Sequence, residues 1–113
     1  MPLQKLGEST YTFSATGDSW VTLNTTSPST TIGYLQVWID VSNMAAGDVL
    51  ELQILEAIKN GGTQRTVHKQ VVSGLVASPV LVTPAYLLWN SWDVQIRQRN
   101  GTARAFDWSL RMA

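Results

Sequence analysis

His68 is the only histidine of the chain and the first residue to consider for catalysis. A histidine that activates a serine or cysteine nucleophile needs that nucleophile close by and a third group to orient the ring. The chain has no cysteine. None of its serines lies in the Gly-x-Ser-x-Gly sequence that forms a nucleophile elbow. Because His68 stands in an alternating segment between Arg65 and Lys69, we predict an ordinary strand histidine.

Paired carboxylates are the second candidate, since two of them at a defined separation in a cleft can hydrolyse a glycosidic bond. Glu51 and Glu56 fall on opposite faces of one predicted strand, and Asp93 and Asp107 are expected to be neighbours. We expect these carboxylates to form surface salt bridges with nearby arginines. The sequence also lacks a calcium loop and a phosphate-binding glycine loop. It therefore predicts no catalytic residue, no metal and no cofactor.

The five tryptophans are many for a chain of 113 residues. Trp38 alternates with the polar residues Gln36 and Asp40, and Trp89 ends the apolar run 85–89. Amphipathic rings are enriched at protein interfaces, so we predict that Trp38 and Trp89 contact a partner. Exposed tryptophans can also stack on sugar rings, which keeps a carbohydrate-binding function open.

The run 85–89 predicts a contact surface for a second reason. Successive side chains of a strand point to opposite faces, so five consecutive apolar residues cannot all face one core. The run must either be buried on both sides or form an assembly surface. We expect Tyr86, Leu88 or Trp89 at a subunit contact.

Residues 1–8 are predicted to be an N-terminal arm, and residues 9–113 a single domain. Leu3 and Leu6 alternate imperfectly, and Pro2 lacks a backbone donor. We expect the arm to add a strand to the edge of a neighbouring molecule, with Leu3 and Leu6 filling apolar pockets. The alternative is a frayed terminus.

Period-two alternation dominates the rest of the chain and predicts strands. Residues 49–58 are rich in helix formers, but their strict alternation between Gly47 and Gly61 favours a strand. The two strongest segments, 32–41 and 49–58, place these apolar side chains on one face: Leu35, Val37, Ile39, Val41, Leu50, Leu52 and Ile54.

About eight short strands with no convincing helix predict an all-β fold, an antiparallel two-sheet sandwich that is jelly-roll-like. Residues 80–82, which lie between Pro79 and Pro84, are expected to form a short edge strand.

The last two strands are predicted to form a hairpin around Asn100-Gly101. Their apolar faces coincide only if the loop has an odd number of residues, either 99–101 or 100–102. We favour 100–102, which pairs Ile96 with Phe106.

The charge excludes some partners. Eight basic and eight acidic residues give no net charge, whereas nucleic-acid binding and polybasic membrane attachment need a basic excess. Residues 1–60 carry two basic and six acidic residues, net −4, and residues 61–113 carry six and two, net +4. This asymmetry is either chance or a sign of complementary faces.

No signal peptide or membrane span is apparent, so we expect a soluble chain made in a cytoplasm.

Four segments are similar, in order and spacing, to a known group of proteins: 44–52, 61–65, 92–94 and 100–109. Over roughly residues 34–112 the chain resembles small proteins encoded near the head genes of tailed bacteriophages. Some of these are decoration (cement) proteins with a jelly-roll-like fold. The resemblance implies a virion structural protein on the outer capsid surface, bound to the major capsid protein and to other copies of itself as a dimer or trimer. A carbohydrate-binding or receptor-binding virion module is the alternative.

Overall fold

Nearly every segment with period-two alternation forms a strand in the computed structural model, which describes residues 3–74 and 78–113. No helix in this part of the chain is long and apolar enough to span a membrane. The strands are β1 (Gln4–Thr12), β2 (Val21–Thr22), β3 (Gly33–Asp40), β4 (Val49–Ala57), β5 (Gln64–Ser73), β6 (Val80–Val82), β7 (Tyr86–Leu88), β8 (Trp92–Asn100) and β9 (Ala105–Met112).

The strands form two antiparallel sheets. Sheet A has the order β1-β9-β3-β6, with β7 also paired to β3, and sheet B has the order β2-β8-β4-β5. Since β6 and β7 pair with opposite ends of β3, they are two halves of one edge strand. Counted that way, the sheets have four strands each, in the order of a jelly roll. The predicted fold class is confirmed.

The core lies between the inner faces of the two sheets. Leu35, Val37 and Ile39 face inward from β3, as their alternation predicted. They pack against Leu52 and Ile54, which β4 contributes from the opposite sheet. The preference for a strand over a helix in residues 49–58 is therefore confirmed.

Thr83 explains why the edge strand of sheet A is interrupted. Its backbone N–H donates to the Val37 carbonyl at 3.1 Å, and its hydroxyl accepts from Val37 N–H at 3.0 Å. The side chain thus replaces one ladder bond. Pro84, next in sequence, has no N–H to continue the ladder. The predicted edge position of residues 80–82 is confirmed.

The predicted hairpin between the last two strands is wrong. β8 pairs with β2 and β4 in sheet B, whereas β9 pairs with β1 and β3 in sheet A. Ile96 therefore lies opposite Val21 and Leu52, and Phe106 lies opposite Tyr11. The apolar faces of the two strands meet across the core instead of within one sheet, so neither proposed loop register applies.

Residues 4–8 do not form an arm. They are the first half of β1, which pairs with β9 from Gln4 opposite Met112 to Thr12 opposite Ala105. A register shift between Lys5 and Gly7 interrupts the ladder, and it accounts for the imperfect alternation. Leu6 packs against the core. Met1 and Pro2 lie outside the described residues.

Asp48 joins the loop before β4 to the loop before β9. Its carboxylate accepts hydrogen bonds from the backbone N–H groups of Ala45 at 2.8 Å and Thr102 at 3.0 Å, and it pairs with the Arg104 guanidinium. These bonds, led by that from Ala45, hold the pKa of Asp48 below its usual value. The loops that precede β4 and β9 therefore meet at one buried carboxylate.

Candidate functional site

The centre of the outer face of sheet B carries a row of polar side chains that hydrogen-bond to one another. The Thr66 hydroxyl donates to Gln53 at 3.2 Å, the Gln53 amide donates to Gln95 at 2.7 Å, and the Gln95 amide donates to Thr22 at 3.2 Å. This row crosses all four strands of the sheet. Because these hydrogen bonds are made within the sheet, the row offers few free donors or acceptors to a partner.

A charged row lies beside these amides. Arg97 Nε donates to Glu51 Oε1 at 2.5 Å, and its guanidinium stacks 4.1 Å from the centroid of the Trp20 ring. The predicted salt bridge is confirmed for Glu51. Asp93 instead accepts from the Ser27 hydroxyl at 2.7 Å. It is not a neighbour of Asp107, because the two final strands lie in different sheets.

The outer face of sheet A has a different character. Its strands hold four of the ten large apolar side chains that are exposed in the described part of the chain: Tyr34, Val80, Val82 and Leu87. Tyr34 and Leu87 are cross-strand partners on β3 and β7. Ile32 and Trp89 are also exposed, just beyond the paired ends of β3 and β7, and continued alternation places them on the same face. We call these four residues, Ile32, Tyr34, Leu87 and Trp89, the apolar strip.

Trp89 is exposed, but its backbone is held in place. The Glu56 carboxylate accepts from Trp89 N–H at 2.6 Å and from Asn90 N–H at 2.9 Å. The Asn90 side chain donates to the Ala57 carbonyl at 2.9 Å. Trp89, which is 63% exposed, therefore extends its side chain from a backbone that is held in place, which reduces the cost of ordering a contact residue.

Trp38 lies on the same outer face, nearer its centre. The Arg111 guanidinium stacks 4.0 Å from the centroid of the Trp38 ring, and the two residues form a cation–π pair. This contact leaves the indole half-buried, whereas Trp89 is mostly exposed. The structure thus brings the two tryptophans predicted as contact residues to one side of the sandwich.

Tyr86 points inward and joins the edges of the two sheets. Its hydroxyl lies 2.6 Å from His68 Nδ1, and His68 Nε2 lies 3.2 Å from Gln70 Oε1. Since this arrangement links β7 to β5, it gives His68 a structural role.

Leu88 is not available to a partner, because it is 1% exposed and belongs to the core. The alternation within β7 turns Leu87 outward instead, and Leu87 is 54% exposed. The run 85–89 therefore has one core residue, one residue that bridges the sheets, and an outward-facing pair. Within the described residues, it is not buried on both sides.

Leu3 and Leu6 are separated by the start of β1. Leu3 is 82% exposed and lies beside Ser109 and Arg111, on the outer side of sheet A. Leu6 faces the core, so it cannot fill a partner's pocket. Sequence reasoning missed Ile32, Tyr34 and Leu87, although the position of Tyr34 on the same strand face as Trp38 was an available signal.

The described residues include no group of three or more His, Asp or Glu side chains placed to hold a metal ion. In comparisons with protein-family models, curated proteins and solved structures, no match to this chain was found.

Proposed function

We propose that the protein is a structural protein of a tailed-phage virion, a decoration protein that binds and stabilises the shell of the major capsid protein. The observation that carries the proposal is the apolar strip, which lies on the side of the sandwich opposite the polar row of sheet B. The resemblance of residues 34–112 to phage head proteins supports the identity of the partner.

The size of the strip suits a repeated weak contact. If a large aromatic side chain offers roughly 150–250 Å², the four half-exposed side chains offer on the order of 400 Å². A stable pairwise interface needs about 800 Å² from each partner. One strip alone is therefore a weak contact, and an ordered shell with many copies compensates through multivalency.

The two faces define an orientation on the shell. Sheet A would lie against the capsid, and the amide row of sheet B would face water. A sandwich that fits the expanded lattice better than the precursor shifts the equilibrium toward the expanded state by its differential affinity. No pocket or catalytic group is needed for this function.

The test uses virions of the encoding phage. A composition gel of intact particles should show a copy number near that of the major capsid protein. Leu87→Lys and Trp89→Lys should release the protein from the particles, because each replaces apolar contact worth about 1.5–3 kcal/mol with a charge. Val71→Lys is the matched control, since Val71 is 53% exposed on the outer face of sheet B.

Release of the Val71 variant together with the others would indicate general destabilisation. Full retention of both strip variants, with thermal midpoints equal to that of the wild type, would refute the proposal.

A carbohydrate-binding function is the second candidate, and the exposed pair Tyr34 and Trp89 favours it. Aromatic rings displayed on one sheet face can stack on sugars. This function predicts few copies per virion and a change in tryptophan fluorescence when a cognate glycan is added. Trp89→Ala should abolish that change, whereas Trp20→Ala, on the opposite sheet, should not.

A further inference from the structure

The centre of the outer face of sheet A carries opposite charges on either side of the row formed by Glu8, Ser109 and Trp38. The register places Ser109 beside Trp38 in the middle row. Arg111 lies beside Lys5 in the row on one side. Asp107 lies on the other side of the middle row, two residues before Ser109 on the same face of β9 and beside Thr10.

Asp107 and Arg111 do not pair within the chain. They are four residues apart on one strand, which is about 13 Å at 3.2–3.4 Å per residue. Asp107 Oδ1 accepts from the Thr10 hydroxyl. Arg111 Nε donates to the Ser109 hydroxyl at 3.3 Å, which uses one of the five guanidinium N–H groups. Both charges therefore retain hydrogen-bonding capacity.

We propose that this face binds a second copy of the chain through a two-fold axis. The axis runs in the plane between the two faces. It passes above Ser109 and is perpendicular to β9. It places Asp107 of each copy over Arg111 of the other, and Trp38 against Trp38. A two-fold interface must be self-complementary, and the equal spacing of opposite charges about Ser109 satisfies that condition.

The other groups on the face are compatible with this pairing. Val80 and Val82 place an apolar edge beside Trp38. Glu8, in the middle row, would meet Glu8 of the second copy, but each carboxylate is already paired with its own Lys5. Asp40 would face Gln36 of the second copy. Sheets that pack face to face lie about 10 Å apart, a gap that paired Asp and Arg side chains can span.

A shallow depression of about 390 Å³ lies beside Trp38, lined in part by Glu8, Asp40, Val80 and Asp107. The contact uses the same side of the sandwich as the apolar strip. One molecule therefore cannot bind a second copy and the shell through this side at the same time. The two binding equilibria compete by mass action.

The test is sedimentation velocity of the full chain over a range of concentrations, without virions. The wild type should dimerise. Asp107→Arg and Arg111→Asp should each weaken dimerisation by about a hundredfold, because each change reverses two symmetry-related charge pairs at once. The double variant Asp107→Arg/Arg111→Asp restores both pairs with opposite polarity, so it should dimerise again.

Lys69→Asp is the control, since Lys69 lies on the outer face of sheet B beside Gln53 and its reversal should leave the dimer intact. Circular dichroism melts would show that each variant is folded. A wild type that stays monomeric at every concentration would overturn the inference, and so would a folded double variant that fails to dimerise. Either result leaves the shell contact standing, because that contact is tested on Leu87 and Trp89.

Discussion

Asp48→Asn should destabilise the protein far more than other carboxylate substitutions. The carboxylate is 1% exposed and accepts from Ala45 N–H, Thr102 N–H and the Arg104 guanidinium. An asparagine has one acceptor oxygen and turns an N–H₂ group toward these donors. Removing one partner of a buried, hydrogen-bonded charge pair lowers the free energy of unfolding by about 3 kcal/mol or more. We therefore expect a loss of about 3 kcal/mol.

At this chain length, 3 kcal/mol corresponds to a fall of roughly 12 °C in the thermal midpoint. Urea unfolding followed by tryptophan fluorescence would measure the free energy directly. Asp40→Asn is the control, because Asp40 is exposed and its carboxylate bonds Ser42 N–H at 2.9 Å within its own loop. It should cost about 0.5 kcal/mol. A loss below about 1 kcal/mol for Asp48→Asn would refute the assigned role of the carboxylate.

The same carboxylate predicts a pH dependence. Hydrogen bonds from Ala45, Thr102 and Arg104 lower the pKa of Asp48 from its usual 3.8, so the ionised form is favoured in the folded state. Its contribution is fully present above pH 3.8 and is lost as the pH falls through the lower pKa of the folded state. The stability difference between the wild type and Asp48→Asn should be constant near neutral pH and shrink below 3.8. A difference that grew in acid would contradict this reasoning.

Two further predictions concern the backbone. Gly101 has φ +93°, and a Cβ there would lie 2.6 Å from Asp48 Cα, so Gly101→Ala should lower the free energy of unfolding by at least 2 kcal/mol, measured in urea. Gly61→Ala, at φ +77° with no atom within 4 Å, should cost about 1 kcal/mol, and equal losses would argue against the clash. Deleting residues 3–8 removes half of the β1 ladder, so the thermal midpoint should fall by 10 °C or more. An unchanged midpoint would restore the interpretation of this segment as an arm.

Alternation predicted the faces of the strands but not their neighbours. Period two shows that Ile96 and Phe106 face a core, and this is correct for both. It does not say whether two such strands share a sheet, since inner faces of opposite sheets satisfy the same pattern. The Asn100-Gly101 turn therefore suggested a hairpin where the chain crosses between sheets.

The candidate site was predictable only in part. Trp38 stood out because it interrupts a polar face, and it does lie on the outer surface. In the run 85–89 every residue is apolar, so the sequence could not show that Leu87 faces outward and Leu88 inward. The contacts of Glu56 with Trp89 and of Asp48 with Arg104 join residues distant in sequence, and no local pattern indicates them.

The order of the strands has a consequence for how the protein folds. β9 lies between β1 and β3, and β8 lies between β2 and β4, so the two strands that are synthesised after the other seven are interior strands of the two sheets. Until they emerge, β1 and β2 have no partners and their apolar faces remain uncovered. Folding must therefore wait until β8 and β9 have been synthesised and must then close very long loops, which makes it slow. During that delay the uncovered apolar faces of the nascent chain can aggregate. Rapid binding of chaperones to these faces would be an advantage.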